Sequence, residues 1–419
     1  MLLAKEHLLW GLLVLNYALC SLLRDSAMVV LPPLMGALSL SAASVGFISA
    51  VYHYSYGSVQ SLLGTACDRF GAIRLCGTSL LICVCGVVFF AVGTSPLTLA
   101  LGRLLMGLGM GPAFASVLVY QAQAFSEEDY PIYAALSTIL SNLGNVAAIS
   151  PLGAALDAFG KQTVFLAIAI FTFILALAML VSSSLYEGHR RRNNVPLKIS
   201  ELLWGGFSCV CKNRLLLFTT LFWCVSMGLQ LAFLGLWGVP WYQTVWGLSS
   251  AHARRFMTIS AFSVMCGAFT GGAVGRRFNG NGFAVLASYI MMLVSWSALI
   301  GATALKASVF WGAAAGMLIG FSSGNCNVLC SSYIRAVSPS GRLGAVLGSV
   351  SMAIFVAGII FQWGAGIIMS CVFKGMGTAM DARGFLYSFG SFVMLSYLFI
   401  PQFIRAQGFR KADRAARRF

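Results

Sequence analysis

The sequence predicts an all-α integral membrane protein with about twelve transmembrane helices. Three observations carry that prediction. Of the 419 residues, 59% are hydrophobic and only 9% are charged. A soluble domain carries about 25% charged residues because its surface faces water, so lipid is the natural solvent for this chain. The apolar residues gather in runs near the ~20 residues that cross a hydrocarbon core. These runs are too long and too uniformly apolar for the alternating strands of a membrane β-barrel. Each must be a helix, which satisfies its own backbone in lipid.

The first set of spans is placed at 8–32, 42–63, 75–93, 97–123, 133–156 and 163–184. Lys5 followed by the apolar run Leu8–Leu19 and Cys20 has the outline of a signal peptide. A processing site wants a small residue where Leu19 stands, and apolar sequence resumes at Ala27–Leu34. The segment is therefore read as an uncleaved first span. A basic polar stretch, Tyr186–Arg214, follows. The second set is placed at 215–240, 256–274, 283–304, 308–333, 344–370 and 384–404, with a basic tail from Arg405 to Phe419.

Charge assigns an orientation to these spans. With both termini in the cytoplasm, 19 of the 27 Lys and Arg residues fall in inside segments and 6 in outside ones. That asymmetry is the positive-inside pattern. It accounts for the net charge of +16 without nucleic acid, which is not expected as a partner. The 12 Cys are scattered, mostly inside apolar runs, where a thiol behaves as a small hydrophobe. The Cys83/Cys85 and Cys209/Cys211 spacings lack the further ligands of a metal site. No metal and no cofactor are expected.

The loop after the second span reads Gly64-Thr-Ala-Cys-Asp68-Arg69-Phe-Gly71-Ala-Ile-Arg74. It resembles the signature of the major facilitator superfamily between spans 2 and 3, G-x-x-x-D-R-x-G and then a basic residue. Gly64, Asp68, Arg69, Gly71 and Arg74 fit it as a gating motif. In the fourth span Arg103, Gly107 and Gly109 match the family's Arg followed by Gly four and six residues on. The span 5 motif of the family's drug antiporters is degraded to Ser150-Pro151-Leu-Gly, and in the second half Gly275 stands where the loop motif is acidic. The resemblance implies a bacterial-type transporter of the inner membrane, subfamily open. It implies an N-terminal six-helix bundle at 1–185, a cytoplasmic linker at 186–214, a C-terminal bundle at 215–405 and a cytoplasmic tail at 406–419.

Transporters bind near the bilayer midplane, so buried polar groups there are the candidates. In span 1, Asn16, Cys20 and Arg24 lie on one stripe and Tyr17, Ser21 and Asp25 on the next. Arg24 and Asp25 point about 100° apart on a helix and need not neutralise each other. Arg24, Tyr56, Gln60, Arg103, Asn142, Gln230, Trp237, Asn325 and Gln362 are read as substrate-binding. Asp25 and His53 are read as proton-coupling. Glu127, Glu128 and Asp129 are read as capping span 5.

The expected function is secondary active transport of a small organic solute by alternating access, with proton symport. The lean toward anions rests on Arg24 and Arg103. Expected partners are the solute, protons and membrane lipids, and the chain is expected to be a monomer. No cluster of His and acids at one depth suggests an enzyme. The alternatives are proton-driven efflux, which the degraded span 5 motif disfavours, and a transporter-like solute sensor, which would need a larger cytoplasmic domain than the tail supplies.

Overall fold

The structure, a computed structural model, describes residues 2–126, 129–186, 199–277, 282–338, 343–372 and 381–416. Every regular element among them is helical. They divide into two compact units, Met1–Ile199 and Ser200–Phe419.

The first unit holds α1 (Leu2–Asp25), α2 (Ala27–Ala37), α3 (Ala42–Phe70), α4 (Ala72–Val92), α5 (Pro96–Met110), α6 (Ala113–Ala124), α7 (Tyr130–Ala147) and α8 (Ser150–Tyr186). The second holds α9 (Ile199–Lys212), α10 (Arg214–Ala232), a π-helical turn (Phe233–Trp237), α11 (Gly238–Trp246), α12 (Ser250–Arg277), α13 (Gly282–Ala304), α14 (Val309–Val337), α15 (Leu343–Val372), α16 (Ala382–Tyr397) and α17 (Phe399–Ala416).

Ten segments of the described residues are long and apolar enough to cross a membrane. One of them, Ile132–Leu185, holds two crossings, because Gly160 (φ 76°, ψ 162°) interrupts α8. The 29-residue α3 covers the second span read from the sequence, 42–63. Each span read from the sequence falls on one or more of these helices. Many large apolar side chains, among them Phe89, Ile174, Phe262 and Met394, face outward, which fits a surface solvated by hydrocarbon.

Local chemistry sets the helix ends. The Ser41 hydroxyl accepts from the Ser44 amide at 3.1 Å, and Ser95 and Thr98 form a reciprocal capping box ahead of α5. Asn213 caps α10. Gly71 (φ 86°) ends α3 and starts α4 in one residue, a backbone state that a side chain would strain. Asp129 occupies the N-cap position of α7 but makes no side-chain cap. Its carboxylate accepts from the Ser126 hydroxyl at 2.8 Å instead, which corrects the capping expectation for that residue. Glu127 and Glu128 lie outside the described residues, as do linker residues 187–198 with Arg190, Arg191, Arg192 and Lys198.

In lipid no hydrophobic force drives helices together, so close packing of small residues does. A Cβ at Gly107 of α5 would fall on the Tyr52 carbonyl and the Ser55 hydroxyl of α3. One at Gly109 would meet the Cys83 backbone of α4. The glycines after Arg103 are thus the contact surface on which α5 seats against α3 and α4.

Candidate functional site

The polar face of α1 is the centre of the first unit's site. Toward α7, the Ser21 and Ser141 hydroxyls meet at 2.9 Å. The Arg24 Nη2 donates to Asn145 Oδ1 at 2.9 Å, and Asn145 in turn donates to Asn142 Oδ1 at 3.0 Å. Toward α3, the Cys20 thiol and Tyr52 hydroxyl lie 3.4 Å apart. Tyr56 stacks on Tyr52, with ring centroids 6.0 Å apart. Tyr17 leans on Phe114 of α6.

Arg24 and Asp25 form an ion pair, Nε to Oδ1 at 3.0 Å. Helical projection places these neighbours on separate stripes, where they need not neutralise each other, and in the structure they pair. α1 ends at Asp25 and the chain steps at Ser26. The 100° rule describes Cα–Cβ directions inside a regular helix, and a long arginine at a helix end escapes it. The pair sits near the middle of the 33-residue apolar segment Lys5–Ala37. Its side chains are 19% and 9% exposed, so Arg24 is sheltered without being sealed.

Arg103 is sealed, at 0% exposed. Its Nη1 donates to the Leu23 carbonyl at 2.7 Å, and its Nη2 to the Arg24 and Ser49 carbonyls at 3.0 and 3.3 Å. Its guanidinium also lies 4.7 Å above the Tyr52 ring. A cation at the C-terminus of α1 complements that helix's dipole and satisfies carbonyls that lipid cannot. Arg103 therefore clamps the α1–α2 step onto α3, whereas the sequence placed it among the solute-binding groups.

His53 is buried edge-on against Tyr52, with centroids 5.8 Å apart. Gln60 donates to the Gly111 carbonyl at 3.2 Å, at the break between α5 and α6. In the motif that follows the second span, Gly71 forms the helix junction and Arg74 is exposed on the first turn of α4. The side chains at Gly64, Asp68 and Arg69 lie outside the described residues.

The second unit gathers Gln230, Trp237 and Gln362 at the π-helical turn. Gln362 Nε2 donates to the Leu231 carbonyl at 2.8 Å, and Trp237 Nε1 donates to the Gln362 carbonyl at 3.0 Å. Gln230 Oε1 accepts from Asn327 Nδ2 at 2.9 Å. Asn325 is directed elsewhere, donating to Thr270 at 3.2 Å. The sequence reading passed over Ser141, Thr270 and the π-helical turn. Pro240 was the available signal for the turn: it has no N–H and its ring crowds the carbonyl four residues earlier, at Leu236, so the turn ahead of it widens.

Comparison with known proteins assigns the family. A model of the Major Facilitator Superfamily matches residues 13–362. The uncharacterized transporter YybO of Bacillus subtilis (strain 168) is 24% identical over 186 residues, 44% of this chain and 42% of that protein. The probable sulfoacetate transporter SauU of Cupriavidus necator is 27% identical over 109 residues, 26% of this chain and 25% of that protein. The chain thus spans less than half the length of these relatives. A bacterial homolog of the human lysosomal transporter Spinster superposes with a TM-score of 0.73 at 14% identity, covering 96% of this chain and 97% of that one. A variant of the nucleoside transporter NupG gives 0.74 at 16% identity, covering 93% and 100%. At those identities the likeness is one of fold. Because the family model runs through most of its length, the chain belongs to the major facilitator superfamily.

Proposed function

We propose that the chain is a secondary active transporter that carries a small organic anion together with a proton, its segments 1–185 and 215–405 acting as the two bundles that alternate access. The Arg24–Asp25 pair carries this reading. Leaving one member of a buried ion pair unpaired costs about 3–5 kcal/mol. The site stays neutral in two ways. Asp25 is ionised and paired with Arg24, or Asp25 is protonated and Arg24 is paired with an incoming anion. Proton and anion therefore favour each other's binding, and that linkage has the sign of symport.

Arg24 is built for the exchange. Its Nε serves Asp25 and its Nη2 serves Asn145, which leaves Nη1 for a solute oxygen. Asn145 and Asn142 orient the guanidinium without neutralising it. SauU, named for an organic anion, adds support from a relative. With Arg103 committed to carbonyls, the attraction for an anion falls to Arg24 alone, and His53 is a second candidate for proton transfer.

The test is uptake of labelled carboxylates and sulfonates into proteoliposomes under an imposed pH gradient. Accumulation is expected when the source side is acidic, and Asp25→Asn is expected to abolish the gradient's effect while counterflow exchange persists. Accumulation that ignores both the gradient and Asp25→Asn overturns the proposal.

A further inference from the structure

Basic side chains gather at one end of the Ser200–Phe419 unit. Lys212 stands just before the apolar segment Arg214–Trp246, and Arg276 and Arg277 close the segment Ser250–Arg277. Arg335 and Arg405 lie in the final turns of Val309–Val337 and Ala382–Gly408. All five are exposed. Packing brings these helix ends together. Val210 of α9 shares a core cluster with Ile334 of α14 and Val346 of α15. A Cβ at Gly275 of α12 would touch Ser332 of α14 at 3.6 Å. The Phe403 ring of α17 lies 6.3 Å from the Tyr333 ring of α14. Each of the five cations follows one of these contacts by one or two positions.

Among the described residues the ion pairs are Arg24–Asp25 and Arg383–Asp381, so no described carboxylate neutralises this end. Topology needs only an excess of cations over the opposite side. It does not require one half of the chain to carry that excess. On the same side by span count, segments 1–7, 64–74 and 124–132 of the first unit hold Lys5, Arg69 and Arg74 against Glu6, Asp68, Glu127, Glu128 and Asp129. Apolar surface flanks the cations of the second unit. Ile404 precedes Arg405, and Phe283 opens α13 where a Cβ at Gly282 would meet the Gln407 side chain of α17. Both Ile404 and Phe283 are exposed.

Cations at the ends of membrane crossings stand at headgroup depth. With exposed apolar side chains inside the same crossings, they suit a molecule that has an anionic head and apolar tails. We infer that this end of the second unit binds anionic phospholipid, headgroups on the five cations and acyl chains along Ile404 and Phe283. Each Lys or Arg near an anionic membrane surface adds to the attraction. A free phosphate would engage the cations and leave the apolar flank unused, so lipid is the occupant. The inference stands apart from the transport reading.

The test is thermal unfolding of the full chain in a neutral detergent, titrated with dioctanoyl phosphatidylglycerol, dioctanoyl phosphatidylcholine or inorganic phosphate. Phosphatidylglycerol is expected to raise Tm, with no shift from the other two at the same concentration. Sodium chloride at about 0.5 M is expected to weaken the effect. Arg276→Gln with Arg277→Gln is expected to raise the half-effective phosphatidylglycerol concentration at least about tenfold. The matched pair Arg255→Gln with Lys306→Gln, exposed at the opposite end of the unit, is expected to leave it within about twofold. Should the first pair fail to fold, Arg335→Gln with Arg405→Gln is expected to give the same tenfold loss. The inference is overturned if phosphatidylglycerol leaves Tm unchanged, or if phosphatidylcholine or inorganic phosphate shifts it as far. It is also overturned if a folded basic-end pair keeps the wild-type response, or if the opposite-end pair weakens it equally.

Discussion

Arg24 and Arg103 bring the same charge into one packed region of the first unit, and their partners separate their roles. Arg103 meets only carbonyls and a ring face, fully buried. Arg24 meets a carboxylate and an amide and keeps some exposure. Arg103→Met removes three hydrogen bonds from a buried cation, at about 1.5–3 kcal/mol each, although the Leu23 carbonyl keeps the Ser26 hydroxyl at 2.8 Å, and is expected to lower Tm steeply in fluorescence-detected unfolding. Arg24→Gln leaves Asp25 without its partner, so a lower Tm is expected together with loss of gradient-driven uptake. If Arg103→Met melts with the wild type, the clamp is not what holds the α1–α2 step. From the sequence the two arginines read alike, as costly charges inside spans. That reading located them as important without dividing their roles, because a role depends on which acceptors the fold brings near.

At the scale of elements, glycine positions carry the architecture. Gly71→Ala forces a side chain into a positive-φ junction between α3 and α4, at a cost of about 1–3 kcal/mol. A lower Tm than the wild type is expected, with both helices still formed by circular dichroism. Gly107→Val drives a branched side chain into Tyr52 and Ser55. The expected result is a poorly folded protein that elutes as aggregate in gel filtration, and a monodisperse Gly107→Val peak would contradict the packing argument. The break at Gly160 lets Lys161 donate to the Phe90 and Gly93 carbonyls at 3.1 and 2.6 Å, closing the end of α4. The family-like spacing of Arg103, Gly107 and Gly109 was legible in the sequence. The packing reason was not, because the sequence does not say which neighbour a small residue faces.

At the scale of the whole molecule, the distribution of basic residues makes a claim about sidedness that labelling can check. Cys211 precedes span 7 and Cys371 follows span 11, and both are exposed. In single-cysteine variants, a membrane-impermeant maleimide is expected to reach Cys371 from outside intact cells and Cys211 only after permeabilisation. The reverse pattern would invert the topology. The sequence by itself determined the membrane class, the order and number of spans and the expected orientation. Hydropathy and charge act segment by segment, so they can be summed along the chain without knowing the fold. The tertiary structure alone decided that Arg24 is held by Asn145, that Arg103 closes helix ends, and that Gln362 is held against the π-helical turn. Those outcomes join residues far apart in the chain, 80 positions for Arg103 and Leu23, 121 for Arg24 and Asn145, 131 for Gln362 and Leu231. Hydrogen bonds form only within about 3 Å, so nothing short of the packed helices could select them.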